Sequence, residues 1–288
     1  MRLTFVSVLL GLVALLSAWD ADAEPRAFKL IDGQVVITVT LNGRELPALL
    51  DTGATYSMID ADLAAELGIR IRRQAGGTTG ASEQQIPKNM TQTVSLDIGA
   101  GMRRPKLYTY ENGHAFAPDG VQVLIGMNLL NKLAITLDFR AMTIDMGPAA
   151  KLAPPIGQPL ALKRAKMLRL TLPVAVGDND VDVMLDTAAS SALHLQRHVV
   201  EQSPALSALA ISRRQVVGID GMREFDAIVV PELALGGHTF RNVRATVAAK
   251  PTDRAIAVDG VVGVDLLRHF HVVFDFDRDK VWMTPIAE

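Results

Sequence analysis

The chain is written twice, and the second copy constrains how the first can fold. Leu49-Leu50-Asp51-Thr52-Gly53-Ala54-Thr55 returns as Met184-Leu185-Asp186-Thr187-Ala188-Ala189-Ser190, with the aspartate at 51 and again at 186. Leu96-Asp97-Ile98-Gly99 returns as Leu233-Ala234-Leu235-Gly236, nearly the same displacement along the chain. Ile125-Gly126-Met127-Asn128-Leu129-Leu130 matches Val262-Gly263-Val264-Asp265-Leu266-Leu267, and the match runs on through Leu137-Asp138-Phe139 and Phe274-Asp275-Phe276. Three blocks in one order define a duplicated unit of about 125 residues. Between the copies, Gly147 to Pro159 carries Pro148, Pro154, Pro155 and Pro159, a composition that resists helix and sheet alike. The expected layout is a first lobe at 24–150, a linker at 151–159 and a second lobe at 160–288.

Each unit reads as all-β with short helices. Val35 to Leu41 alternates and is β-branched, and Asn42-Gly43 is a preferred two-residue hairpin turn before Glu45 to Leu50. The second unit offers Leu168 to Val176, a turn at Gly177-Asp178-Asn179-Asp180, then Val181 to Leu185. Asp60 can cap a short helix, Ala61 to Leu67, that Gly68 ends. Many short strands and frequent turns predict closed or sandwiched β-structure.

The N-terminus reads as an export signal. Arg2 precedes an apolar run from Leu3 to Trp19, and Ala21-Asp22-Ala23 is a small-residue cleavage site. That run just reaches the lower limit for a membrane span; the early cleavage site favours removal of 1–23. The expected location is therefore periplasmic or secreted, with no membrane attachment after cleavage. The formal net charge of −2 gives no basis for nucleic acid as a partner. The absence of cysteine excludes disulfides, thiol chemistry and thiolate metal sites.

Asp-Thr-Gly alone is a weak signal, but its setting is specific. Two apolar residues precede each aspartate, which puts it at the end of a buried strand. Leu124-Ile125-Gly126 and Val261-Val262-Gly263 then follow at similar distances. An ionisable group at such a strand end is costly to bury unless it is satisfied or used. Its recurrence in both units suggests that Asp51 and Asp186 meet at the axis relating the lobes. His194 and His198 have the i, i+4 spacing of metal ligands on a helix, yet no third ligand joins them and a solvated helix face is expected. His269 and His271 would share one face of a strand, with nothing else of ligand type beside them.

These residues resemble the pepsin and retropepsin group of aspartic peptidases over nearly all of the chain after residue 23. Ala54 and Ala189, three positions after each aspartate, are closer to the retroviral Asp-Thr-Gly-Ala pattern than to the pepsin one. The fit is best to a bacterial retropepsin-like protein with two fused lobes. The resemblance implies two pseudo-symmetric acid-protease-like β-barrel lobes with the active site between them, no metal and no cofactor. It implies Asp51 and Asp186 as catalytic residues, supported by Thr52, Gly53, Thr187 and Ala188. Thr55, Gly80, Ser190 and Gly218 would face substrate, with flap hairpins at Gly76-Gly77-Thr78-Thr79-Gly80 and Gly218-Ile219-Asp220-Gly221.

The implied activity is hydrolysis of extended polypeptide by a monomer. Because Ala54 and Ala189 lack a hydroxyl to bond the carboxylates, the pH optimum should be less acidic than pepsin's. One departure stands out. Ala188 occupies the place of the motif glycine, where a methyl takes up space and restricts the backbone if φ must be positive. Two readings follow: a working endopeptidase that accommodates the alanine, and a catalytically silent peptide-binding module on the same fold.

Overall fold

A computed structural model describes residues 25–72, 77–79, 85–87, 89–110, 120–165, 168–218, 221–248 and 258–286. The export segment expected at 1–23 lies outside the described residues. No helix among the described residues is long and apolar enough to cross a membrane.

The first unit opens with the hairpin expected from its sequence. Strands Gln34–Leu41 and Arg44–Leu50 pair antiparallel, with Asn42 at φ 48° and Gly43 at φ 86° in the connection. That left-handed pair matches the twist of the strands and suits Asn-Gly. Asp60 caps helix Ala61–Glu66 by accepting from the N–H groups of Asp62 and Leu63, and Gly68 turns out of it at φ 66°. Strand Val123–Ile125 then returns parallel to Arg44–Leu50, with Ile125 beside Leu50.

The second unit repeats this plan with two differences from the expectation. Leu168 sits at φ 60°, a corner that delays the strand to Leu170–Val176. The following turn tightens to Gly177-Asp178, because Asn179 already pairs with Val176. Strand Asn179–Leu185 takes the returning strand Gly260–Val262 parallel to it, with Val262 beside Leu185. Strand Leu170–Val176 also pairs with the long strand Gly221–Leu235, which closes this sheet into a barrel. The first sheet stays a half-barrel. Its strands Leu96–Asp97, Met102–Arg103 and Tyr108–Tyr110 are separate, where the second unit has one long hairpin, Gly221–Leu235 with His238–Val247.

A third sheet joins the units. Strand Ala134–Asp138 pairs antiparallel with Phe270–Asp275, and Thr136 lies opposite Val273. Val273 is the copy of Thr136 in the repeat, just as Gly263 is the copy of Gly126, so the pseudo-two-fold axis passes through this pair. Leu137, Val272 and Phe274 are buried there. Burial of such a side chain is worth about 1.5–3 kcal/mol, so this sheet is a core in its own right.

Candidate active site

Each aspartate is the first residue beyond a strand buried on both sides. Ala48, Leu49 and Leu50 are buried before Asp51, and Val183, Met184 and Leu185 before Asp186. The Asp51 N–H donates to the Ile125 carbonyl at 2.9 Å, and the Asp186 N–H to the Val262 carbonyl at 2.9 Å. The parallel ladder therefore runs up to the aspartate itself and fixes its backbone before the chain turns away.

The turn then folds over its own carboxylate. Asp51 Oδ1 accepts from the N–H groups of Gly53 at 2.9 Å and Ala54 at 2.6 Å. Asp186 Oδ1 accepts from Ala188 N–H at 2.7 Å. An aspartate that bonds its own following backbone makes a tight local turn. This explains why the acid sits at the strand end rather than within it.

The two loops are locked together by their threonines. Thr52 Oγ1 donates to the Leu185 carbonyl at 2.7 Å, and Thr187 Oγ1 to the Leu50 carbonyl at 2.5 Å. Each hydroxyl also accepts the other threonine's N–H, at 3.2 and 3.1 Å. Both threonines are buried. Four reciprocal bonds in a dry site leave the loops little freedom to slide.

This grip brings the carboxylates against each other. A methyl on Gly53 would lie 2.3 Å from Asp186 Oδ2 and 2.7 Å from its Cγ, so the Asp186 carboxyl rests directly on the Gly53 backbone. Burial, and then the charge of Asp186, hold the Asp51 carboxyl well above the usual carboxylate range, against the pull of the Ala54 and Gly53 N–H groups. Burial pushes the Asp186 carboxyl up to about 6, against the N–H groups of Ala188 and Ala189. Two raised carboxyls side by side form a pair that holds a proton into the mildly acidic range.

Two glycines shape the floor. A methyl on Gly126 would fall 2.7 Å from the Tyr56 carbonyl oxygen, and one on Gly263 would fall 2.1 Å from that of Ser191. The returning strand passes under the aspartate loop in van der Waals contact, and only a residue without Cβ fits. The requirement at Gly53 is also one of space. Neither Gly53 nor Ala188 has a positive φ, so the condition under which Ala188 would restrict the backbone is not met. Its methyl packs on the first-lobe cluster that includes Val36, Leu49 and Leu124.

The remaining expected residues are scattered around this centre. The Thr55 carbonyl accepts from Asn128 N–H at 3.0 Å. Ser190 is exposed and packs against Gly33, where an added methyl would lie 3.2 Å from the Ser190 Cβ. Gly218 ends strand Ser212–Gly218 and pairs with Gly221, so the second flap candidate is a hairpin tip; its Ile219-Asp220 lies outside the described residues. In the first flap candidate, Gly77–Thr79 pairs with Gln85–Pro87, while Gly76 and Gly80 lie outside the described residues.

The histidine pair does not form a site. His194 is on strand Leu193–Leu195, bonded to Thr246 at 2.9 Å, and burial lowers it to about 4. His198 is on helix Arg197–Gln202, bonded to Asp259 at 3.0 Å. The solvated helix face expected of this pair is corrected too, because a strand end separates them. No group of three or more potential metal ligands occurs among the described residues.

Sequence reasoning missed two features. Ser57 donates from both N and Oγ to Asn128 Oδ1, at 2.7 and 2.8 Å, and its Oγ accepts Gly126 N–H at 2.9 Å. Gln34 Nε2 donates to the Ala188 carbonyl at 2.6 Å. The differing copies of these residues, Ala192, Asp265 and Arg169, were the available signal.

A family model described as aspartyl protease matches the chain twice, over residues 37–129 and 172–266. The chain belongs to the aspartyl protease family. The second match is displaced from the first (37 to 172 at its start, 129 to 266 at its end) by the same step as the internal repeat. The matches cover well over half of the 288 residues. The family is that of retropepsin-like enzymes, here in two-lobed form, and its function is of the aspartic peptidase type. No curated protein gives a match.

Proposed function

We propose that this aspartyl protease family member is an endopeptidase that hydrolyses extended polypeptide with a water activated between Asp51 and Asp186. The observation that carries the reading is the Asp186 carboxyl resting on Gly53, inside the threonine grip. Two adjacent buried carboxyls do not both ionise, so one proton is shared. The ionised member takes a proton from the water as it attacks the peptide carbonyl. The protonated member donates to the carbonyl oxygen. The member that took the water's proton then passes it to the leaving nitrogen as the C–N bond breaks, and the first member recovers a proton from the gem-diol hydroxyl as the carbonyl re-forms. The charge change stays within the pair, and the N–H groups of Gly53, Ala54 and Ala188 are already aimed to stabilise it.

Both carboxylates come from one chain, so the active species is a monomer, and activity per molecule stays constant on dilution. The apolar run and small-residue site at its N-terminus support export, with action outside the cytoplasm.

The test is hydrolysis of unfolded casein by the protein beginning at Glu24, beside Asp51→Asn and Asp186→Asn. Each variant should lose at least about 100-fold in rate, the lower end of what a general acid or base contributes, while keeping its fold by circular dichroism. Full activity in either purified variant overturns the two-aspartate reading. Peptide binding without cleavage by the parent protein at any pH from about 3 to 8 would make it a binding module instead.

A further inference from the structure

The second aspartate loop takes part of its support from outside its own lobe. In the first loop, Ser57 ties strand Met58–Asp60, Asn128 and Gly126 N–H together within one unit. The repeat puts Ala192 at the place of Ser57 and Asp265 at that of Asn128. An alanine has no hydroxyl, so the second loop lacks this side-chain staple, and Gly263 N–H donates to the Ala192 carbonyl at 3.1 Å instead. Two bonds from the first lobe reach it. Val35 N–H donates to the Thr187 carbonyl at 3.0 Å, and Gln34 Nε2 donates to the Ala188 carbonyl at 2.6 Å. These carbonyls belong to the peptides on either side of the Ala188 Cα, so the orientation of both is set by the first lobe. Gly33, the preceding residue, abuts Ser190 on the same loop. Val35 acts through its backbone and is buried. Gln34 contributes a side chain, and it lies outside both stretches matched by the family.

We propose that Gln34 is a positioning residue of the second aspartate loop, fixing the Ala188–Ala189 peptide so that the Ala189 N–H stays on the Asp186 carboxyl. This rests on the endopeptidase reading only for its effect on rate. Ala188 is where the loop departs from glycine, and its methyl needs the peptide turned so that it packs on the first-lobe cluster. A donor on the following carbonyl selects that orientation. Gln34 reaches the reacting groups only through this loop, so its loss should change turnover rather than substrate affinity.

The experiment uses Gln34→Met in the protein beginning at Glu24. Methionine keeps the length and apolar stem and removes the donor. Amide exchange by NMR should accelerate at Ala189, the N–H of the peptide that Gln34 holds, by about tenfold, the effect of losing one ordinary hydrogen bond, and stay unchanged at Gly53. On casein peptides, kcat should fall by about tenfold or more, since small misplacements of reacting groups cost up to about 100-fold. KM should stay within about twofold of its parent value. Equal acceleration at Ala189 and Gly53, or none at either, overturns the proposal, as does a raised KM at constant kcat. If the parent protein cleaves nothing, the endopeptidase reading fails, and the exchange pattern alone still decides the role of Gln34.

Discussion

The two aspartate loops have the same backbone course and different means of support. Beyond the threonine grip that both share, the first is held within its unit by side chains: Ser57 and Asn128 tie the loop to the returning strand. The second has Ala192 and Asp265 at those places and leans on Gln34 and Val35 of the other lobe. At the position of Gln34 the second unit has Arg169 (34 to 169), whose guanidinium is lowered by burial. What the copies share marks what the reaction site needs: the aspartate at the end of a parallel ladder, the threonine, and the glycine beneath. What they do not share is scaffolding that either lobe can supply.

The largest expected effect tests the shared part. Gly263→Ala puts a methyl 2.1 Å from a backbone oxygen, against 2.7 Å for Gly126→Ala. Backbone on both sides has no room to give, so Gly263→Ala should destabilise by more than about 3 kcal/mol, the upper end for overpacking. Gly126→Ala should cost less. Urea unfolding of the pair checks the order, and equal stabilities would mean that the two floors are equally closed.

Next comes the staple. Ser57→Ala gives the first loop the residue of the second and leaves the buried Gly126 N–H without its acceptor. A loss of about 1–3 kcal/mol is expected. If the first loop needs its staple as the second needs Gln34, Ser57→Ala should also speed amide exchange at Gly53 and leave Ala188 unchanged.

The carboxyl pair gives a pH signature. Both groups titrate higher in the folded protein than in the unfolded chain. Between about pH 4, the ordinary carboxylate range, and about 6 for Asp186, the native state therefore holds more protons than the unfolded one. Stability then falls as pH rises through that window. Melting curves should show Tm decreasing from pH 4 to 7, and Asp186→Asn should flatten the slope and raise Tm at pH 7. Hydrolysis should rise as Asp186 ionises towards about pH 6, and should decline only at higher pH, where Asp51 loses the shared proton. A Tm that rises steadily over that range would contradict the raised pair.

The smallest effect concerns the methyl of Ala188. It is seated on the first-lobe cluster and the Ala188 N–H bond is intact. Ala188→Gly should therefore change kcat by less than about fivefold, under about 1 kcal/mol of barrier. It should lower stability by about 0.5–1 kcal/mol through backbone entropy. A rise in kcat well beyond fivefold would show that the methyl keeps the pair out of line.

The repeat makes the architecture legible from sequence because each block marks a place where the fold leaves little choice. Leu49-Leu50 and Met184-Leu185 are buried strand ends, and Gly126 and Gly263 are contacts that admit no Cβ. The aspartates and threonines follow from that periodicity. Two kinds of information are out of its reach. At position 53 the glycine makes room for Asp186 and needs no positive φ, and a sequence does not distinguish a residue that must turn from one that must make room. Gln34 is hidden because its role depends on a contact 154 residues away, across lobes, at a position that differs between the copies. The flap positions Gly80 and Gly218 have no repeat to sharpen them.

The sheet that pairs Thr136 with its own copy Val273 has a consequence for how such a site can change over generations. In a homodimer a single codon change lands at both sides of the axis at once. A methyl at position 53 would collide with Asp186 Oδ2, and doubled across an axis it would crowd both carboxyls together. With the halves joined in one chain, the same change can be tried on one side while the other stays fixed. Ala188 opposite Gly53, and Arg169 opposite Gln34, are changes that a single gene copy could not have made separately. Joining the halves thus leaves the two acids free to take unequal duties, and Ala188 opposite Gly53 is one place where the two loops differ.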